Sequence, residues 1–211
     1  MVRKDIKEFI SSLPKNVTLV AATKYVDVDD MEVLLENGVN NFGENRTDSF
    51  LRKYNLLKNK GAIWHFIGHL QRNKASEVIN KIDYLHSLDS LKLADLIEAK
   101  REKPLKVFVE VSINLEETKN GVPYYEVNNF IKELLKYKKI ELVGLMMMAV
   151  KESDGLSLQN QFSKLKVLRD SLEKEFNIKL PYLSMGMSDD YKQAIKEGAT
   201  HIRLGRILYD L

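Results

Sequence analysis

Strand-like and helix-like segments alternate along the 211 residues, eight strands are legible, and each of the first seven is followed by a helix rather than a hairpin. These three observations predict an α/β protein whose parallel strands close into a single (β/α)8 barrel. An open, doubly wound sheet is the competing arrangement. No linker, internal repeat or low-complexity tract interrupts the pattern, so one domain is expected over residues 1–211.

Ile6, Phe9, Ile10 and Leu13 recur at helical spacing from Lys4 to Leu13, and Pro14 stops that helix. Val17 to Lys24 is an apolar, partly β-branched run without Gly or Pro, which reads as a buried first strand. Asp27, Asp29 or Asp30 caps a helix with Met31, Leu34 and Leu35 inward, closed by Gly38. Asn40 to Gly43 is a short second strand. A helix from Arg46 to Lys58 follows, with Phe50, Leu51, Tyr54 and Leu57 inward. Ala62 to Ile67 is the third strand, and Gly68 to Lys74 leads into a helix ending near Ile79. Ile82 to Leu88 is the fourth, followed by a helix capped at Asp89 or Ser90.

Lys106 to Ile113 is the fifth strand. A polar loop to Val122 precedes a helix from Tyr124 to Tyr137, and Ile140 to Met148 is the sixth strand. Leu156 to Phe176 is a long helix and Leu180 to Met185 the seventh strand. Ser188 starts a helix ending at Gly198, and Thr200 to Leu204 is the eighth strand.

Composition removes several function classes. Hydrophobic residues make up 44% and charged residues 30%, as in ordinary water-soluble chains. The net charge of +3 is small and interspersed, so a nucleic-acid partner is not expected. There is no cysteine, which rules out disulfides, thiolate metal sites and a thiol nucleophile. No run approaches the ~18 apolar residues of a membrane helix, and no signal segment opens the chain, so a cytoplasmic location is expected.

In a barrel, chemistry sits where strands end and the following loops begin. Lys24 closes the first strand. An ammonium against apolar surface loses hydration, which lowers its pKa and frees an amine for Schiff-base chemistry; a solvent-exposed lysine where a strand meets a loop is the competing reading. Glu44 and Asn45 end the second strand; His65, His69 and Gln71 belong to the third unit; His86 and Ser87 to the fourth. Asn114 and the loop Lys119-Asn120-Gly121 follow the fifth, and Met146 to Met148 end the sixth. His65, inside Ile63-Trp64-His65-Phe66-Ile67, reads either as a hydrogen-bonded core residue or as part of the site. Ser184-Met185-Gly186-Met187-Ser188-Asp189-Asp190 offers a glycine and two hydroxyls before a helix, which suits an anion. The eighth unit adds Arg203-Leu204-Gly205-Arg206, and loops seven and eight are where barrels commonly hold phosphate. Ser188 as a plain helix cap is the competing reading. No His-x-x-x-His, Walker loop or Gly-x-Ser-x-Gly elbow occurs, and no metal site is expected.

Taken together, Leu19–Lys24, Asn41–Asn45, Trp64–Lys74, Gly144–Met146, Leu183–Asp190 and Ile202–Gly205 resemble the YggS/PROSC family of pyridoxal phosphate homeostasis proteins, over nearly the whole chain. The resemblance implies a TIM barrel like that of the alanine racemases. It implies that Lys24 carries pyridoxal 5′-phosphate as an internal aldimine. Ser184, Ser188 and backbone N–H groups near Gly205 and Arg206 would bind the phosphate, Arg203 would face the pyridine nitrogen, and Met146 or Asn45 would lie beside the ring. His65 is counted with these cofactor-site residues. Position 206 is often a small hydroxyl residue in the family, and here it is Arg206.

Arginine offers no acceptor to a pyridinium N–H, so Arg203 would keep the ring nitrogen unprotonated and weaken the electron sink. The racemases also use an arginine there, but they take a second acid/base from a further domain, and this sequence ends shortly after the eighth strand. The expected function is therefore a monomeric, reversible cofactor carrier in vitamin B6 homeostasis without efficient catalysis, its partners being the cofactor and enzymes that use it. A minimal amino-acid racemase using Tyr25 or a histidine is the alternative. A Schiff-base aldolase acting on a sugar phosphate is a third reading.

Overall fold

A computed structural model describes residues 1–113, 120–150 and 152–210. The proposed loop residues Asn114 and Lys119 lie outside these. The strands are β1 (Thr18–Ala22), β2 (Asn41–Glu44), β3 (Ile63–Phe66), β4 (Tyr84–Leu88), β5 (Leu105–Ser112), β6 (Val122–Pro123), β7 (Ile140–Met146), β8 (Tyr182–Ser184) and β9 (His201–Leu204). The helices are α1 (Ile6–Ser12), α2 (Val28–Glu36), α3 (Thr47–Leu57), α4 (Arg72–Val78), α5 (Leu91–Lys100), α6 (Val127–Leu134), α7 (Gly155–Phe176) and α8 (Tyr191–Lys196).

The sheet runs β4-β3-β2-β1-β9-β8-β7-β5-β6, and a further β4–β5 pairing closes it. All of its ladders are parallel. Eight strands thus form the expected closed barrel, and the two-residue β6 is an added flap on β5. Closure explains why β1 and β5 read as apolar runs: helices cover one face and the lumen the other, so alternation is lost.

Several boundaries differ from the pattern reading. The expected helix from Tyr124 begins as a 3₁₀ turn over Tyr124–Glu126 and is α-helical only over α6. Ser90 does cap α5, accepting from Leu93 N at 3.4 Å. Asp154 caps α7, accepting from Ser157 N at 2.7 Å. Ser188 does not cap α8, which starts three residues later. After β9 the chain makes only a 3₁₀ turn over Arg206–Leu208. It then bonds back to the N-terminus, with Arg3 N donating to Leu208 O at 3.0 Å and Asp210 N to Met1 O at 2.9 Å.

The turn after β8 depends on Gly186. Its φ is +95°, and a Cβ there would sit 2.7 Å from Ala194 Cβ on α8. Its carbonyl accepts from Arg203 N at 2.9 Å, tying the seventh loop to β9. Gly186→Ala is expected to cost about 1–3 kcal/mol through strain and overpacking. Urea denaturation checks this; an unchanged midpoint would mean that the turn relaxes freely.

Candidate functional site

The barrel mouth contains a cavity of about 760 Å³, within the range of small-molecule sites. Lys24, Ser188, Arg203, Gly205 and Arg206 line it together, from β1, the loop after β8 and the end of β9. These residues are scattered in sequence. They meet because β1 pairs with β9, Val20 opposite Arg203 and Ala21 opposite Leu204.

Lys24 stands just beyond β1. Its side chain is exposed, as expected of a lysine where a strand meets a loop, with Nζ 4.6 Å from the Tyr25 ring centroid. The strand ends at Ala22 and the buried Thr23 takes the inward position, which carries Lys24 to the rim. Beneath it, Lys53 Nζ donates to Thr23 O at 2.5 Å and to Glu44 Oε1 at 2.6 Å. Thr23 Oγ1 also donates to Glu44 Oε1, at 2.6 Å. The backbone that presents Lys24 is therefore pinned by a fully buried ion pair.

Beyond the neighbouring strand β9, Ser188 Oγ accepts from Gly205 N at 3.3 Å. Asp190, rather than Ser188, secures this loop, accepting from Met187 N at 2.6 Å. Burial raises the Asp190 carboxyl above its usual range. Arg206 is exposed and pairs with Asp189 at 2.5 Å.

Arg203 is buried and lines the cavity. Its Nη1 donates to Ser184 Oγ at 2.6 Å and its Nη2 to Met147 O at 2.9 Å. Burial lowers its pKa to about 10, against the opposing pull of Glu110 and Asp190. Glu110, on β5, is pushed up to about 7, first by burial and then by Asp89, with Arg203 opposing.

Four expected site residues do not line this cavity. Ser184 is committed to Arg203 and to His86, so its hydroxyl is held behind the wall instead of on it. His65 lies deeper in the lumen, bonded to His86 and Asn41. Met146 packs with Phe108 and Val143, also in the lumen. Asn45 carries a buried Oδ1 with no partner among the described residues. Conversely, Tyr209, Leu158, Ala149 and Val150 line the cavity and were not singled out in the sequence. Tyr209 gets there through the antiparallel bridge to Val2. Among the described residues, no group of three His, Asp or Glu side chains is placed to hold a metal ion.

The alanine racemase N-terminal domain model matches residues 2–211. A pyridoxal phosphate homeostasis protein of Aquifex aeolicus is 38% identical over 194 residues, covering 90% of this chain and 85% of that one. One of Schizosaccharomyces pombe is 35% identical, covering 99% and 89%. PipY of Synechococcus elongatus, solved with pyridoxal phosphate bound, superposes with a TM-score of 0.91 at 28% identity, covering 97% of this chain and 100% of that one. An alanine racemase of Clostridium difficile shares the fold, with a TM-score of 0.80 at 18% identity; the match covers all of this chain and 58% of the racemase.

Proposed function

Since the chain belongs to the alanine racemase N-terminal domain family, and within it to the pyridoxal phosphate homeostasis proteins, we propose that it binds pyridoxal 5′-phosphate at the barrel mouth and releases it to enzymes that use it, without efficient catalysis of its own. The observation that supports this most is the donor set around one cavity. A primary amine (Lys24), a hydroxyl (Ser188), the Gly205 backbone N–H and a fixed guanidinium (Arg203) are the groups an aldehyde, a phosphate and a ring nitrogen require. The residues present therefore fit the cofactor.

Bound, pyridoxal 5′-phosphate supplies an electron-withdrawing ring conjugated to an aldehyde. Lys24 Nζ is the amine for the covalent link. Ser188 Oγ would donate its proton to the phosphate, Gly205 N would reach it once released from Ser188 Oγ, and Arg206, now paired with Asp189, would add a positive charge. Arg203 donates and cannot accept, so it would hold the ring nitrogen unprotonated. Ser184 holds Arg203 rather than the phosphate.

Two features favour a carrier over a racemase. Racemisation needs proton-transfer groups on opposite faces of a planar carbon. Lys24 and Tyr25 are in contact with each other, which does not place them on two faces. Both side chains are also exposed, so water reaches the amine.

The test is absorbance of the purified protein with pyridoxal 5′-phosphate, before and after borohydride, for the natural sequence and for Lys24→Ala. A reducible band fixed onto Lys24 by mass, and missing in Lys24→Ala, is expected, together with negligible turnover of alanine enantiomers. No band would overturn the cofactor reading and bring forward the sugar-phosphate aldolase. Fast racemisation would overturn the carrier reading alone.

A further inference from the structure

The barrel lumen holds a hydrogen-bond chain that starts at Arg203 and Ser184 and runs on through two histidines the cofactor reading does not use. Arg203 Nη1 meets Ser184 Oγ at 2.6 Å, and Ser184 Oγ meets His86 Nδ1 at 2.8 Å. His86 Nε2 meets His65 Nδ1 at 2.9 Å, and His65 Nε2 meets Asn41 Oδ1 at 2.9 Å. We propose that His86 and His65 are positioning residues for Arg203, acting through Ser184. They form a one-directional relay, anchored at Asn41, that fixes the guanidinium facing the cofactor ring. This rests on the reading of the preceding subsection.

Donor chemistry sets the direction. A guanidinium only donates, so Ser184 Oγ accepts from Arg203 and sends its own proton onward. His86 Nδ1 must then accept, which puts the His86 proton on Nε2. That proton goes to His65 Nδ1, so His65 also carries its proton on Nε2 and gives it to Asn41 Oδ1. Asn41 closes the chain, its Nδ2 donating to Asn40 Oδ1 at 3.0 Å. Each histidine gives one bond and takes one. The opposite direction would leave the Ser184 proton without an acceptor among the described residues, in a fully buried position.

The relay is also held sterically. The His65 ring stacks on Tyr84 at 4.5 Å with an interplanar angle of 2°. The His86 ring stacks on Phe108 at 4.3 Å and 27°. Burial, then neighbouring charge, keeps both rings neutral: His201 acts on both, and His65 and Arg203 on His86. A protonated ring could not accept in this chain. Ser184 thus holds Arg203 with both its lone pair and its proton committed, and the guanidinium has little freedom to follow or leave a ring nitrogen.

Two measurements test this. Without cofactor, histidine ¹⁵N NMR is expected to show His65 and His86 both protonated on Nε2; an Nδ1-protonated His86 would overturn the relay. With pyridoxal 5′-phosphate loaded, His86→Phe is expected to speed cofactor release about tenfold and to move the pH midpoint of the bound cofactor's absorbance. His86→Gln, which keeps an acceptor and a donor, should stay within about twofold of the natural protein. Should His86→Phe fail to fold, Asn41→Leu breaks the relay at its far end and is read the same way. A folded variant with a lower melting temperature but unchanged release rate and spectral pH midpoint would overturn the positioning role. If the natural protein takes up no cofactor, the binding reading fails and the positioning role with it, while the NMR still decides whether the relay itself exists.

Discussion

Lys53→Ala or Glu44→Ala is expected to destabilise the protein by about 3–5 kcal/mol, because each leaves an uncompensated charge in the core. The pair is 2.6 Å apart, and its side chains are 1% and 0% exposed. Glu44 Oε1 already takes bonds from both Lys53 and Thr23, while Oε2 has no partner among the described residues. The geometry is therefore incompletely compensated, and joint replacement by Glu44→Leu and Lys53→Met should recover most of the loss. Position also matters. Lys53 Nζ holds the Thr23 carbonyl, one residue from Lys24, so the single variants should also displace the amine proposed to hold the cofactor. Urea denaturation at pH 7 reads the stability. Single substitutions costing under about 1 kcal/mol would show that water or rearrangement replaces the pair.

This pair marks the boundary of what the sequence discloses. The eight-stranded barrel was legible because strand and helix periods differ and alternate along the whole chain. Lys24, Ser188, Gly205 and Arg206 were legible because each follows a strand, and Arg203 because it lies near the end of one; closure brings strand ends together. Lys53 was not singled out, although it lies three residues after Phe50 and four before Leu57 on the apolar face of α3. A lone charge on such a face is the usable signal, but only the fold supplies its partner. Glu110 was read as one residue of an apolar strand, and its position between Asp89 and Arg203 depends on barrel curvature. Ser184 and Ser188 share one motif, yet one hydroxyl is turned to the lumen and the other to the cavity. Sequence spacing does not separate those roles, because Gly186 reverses the backbone between them. The exposure of Lys24 has a related cause: β1 ends at Ala22, two residues before the run reaches the lysine.

A second large effect is expected in acid. His201 is 4% exposed, and burial, with Arg203 adding to it, holds its pKa at about 4 against 6.5 for a free ring. A folded pKa below the unfolded one means that the unfolded chain takes up a proton the folded state refuses. The contribution is complete above 6.5 and is lost as pH falls toward 4. By linkage, His201 alone costs about 2 kcal/mol at pH 5 relative to neutral pH. His65 and His86, held well below the ordinary imidazole value chiefly by burial, act in the same direction. Glu110 opposes them: its folded value of about 7 lies above 4.5, so folding gains a proton and stability rises as pH falls through that window, by about 2 kcal/mol from pH 7 to pH 5. Asp89 and Asp190, raised chiefly by burial, push the same way as Glu110. Three rings outweigh this, so the urea midpoint should fall between pH 7 and pH 5, with net proton uptake on unfolding. Glu110→Gln removes the main opposing group and should steepen the fall. Equal midpoints at the two pH values, or a shallower fall in Glu110→Gln, would mean that the lumen admits protons and that its histidines are not held neutral.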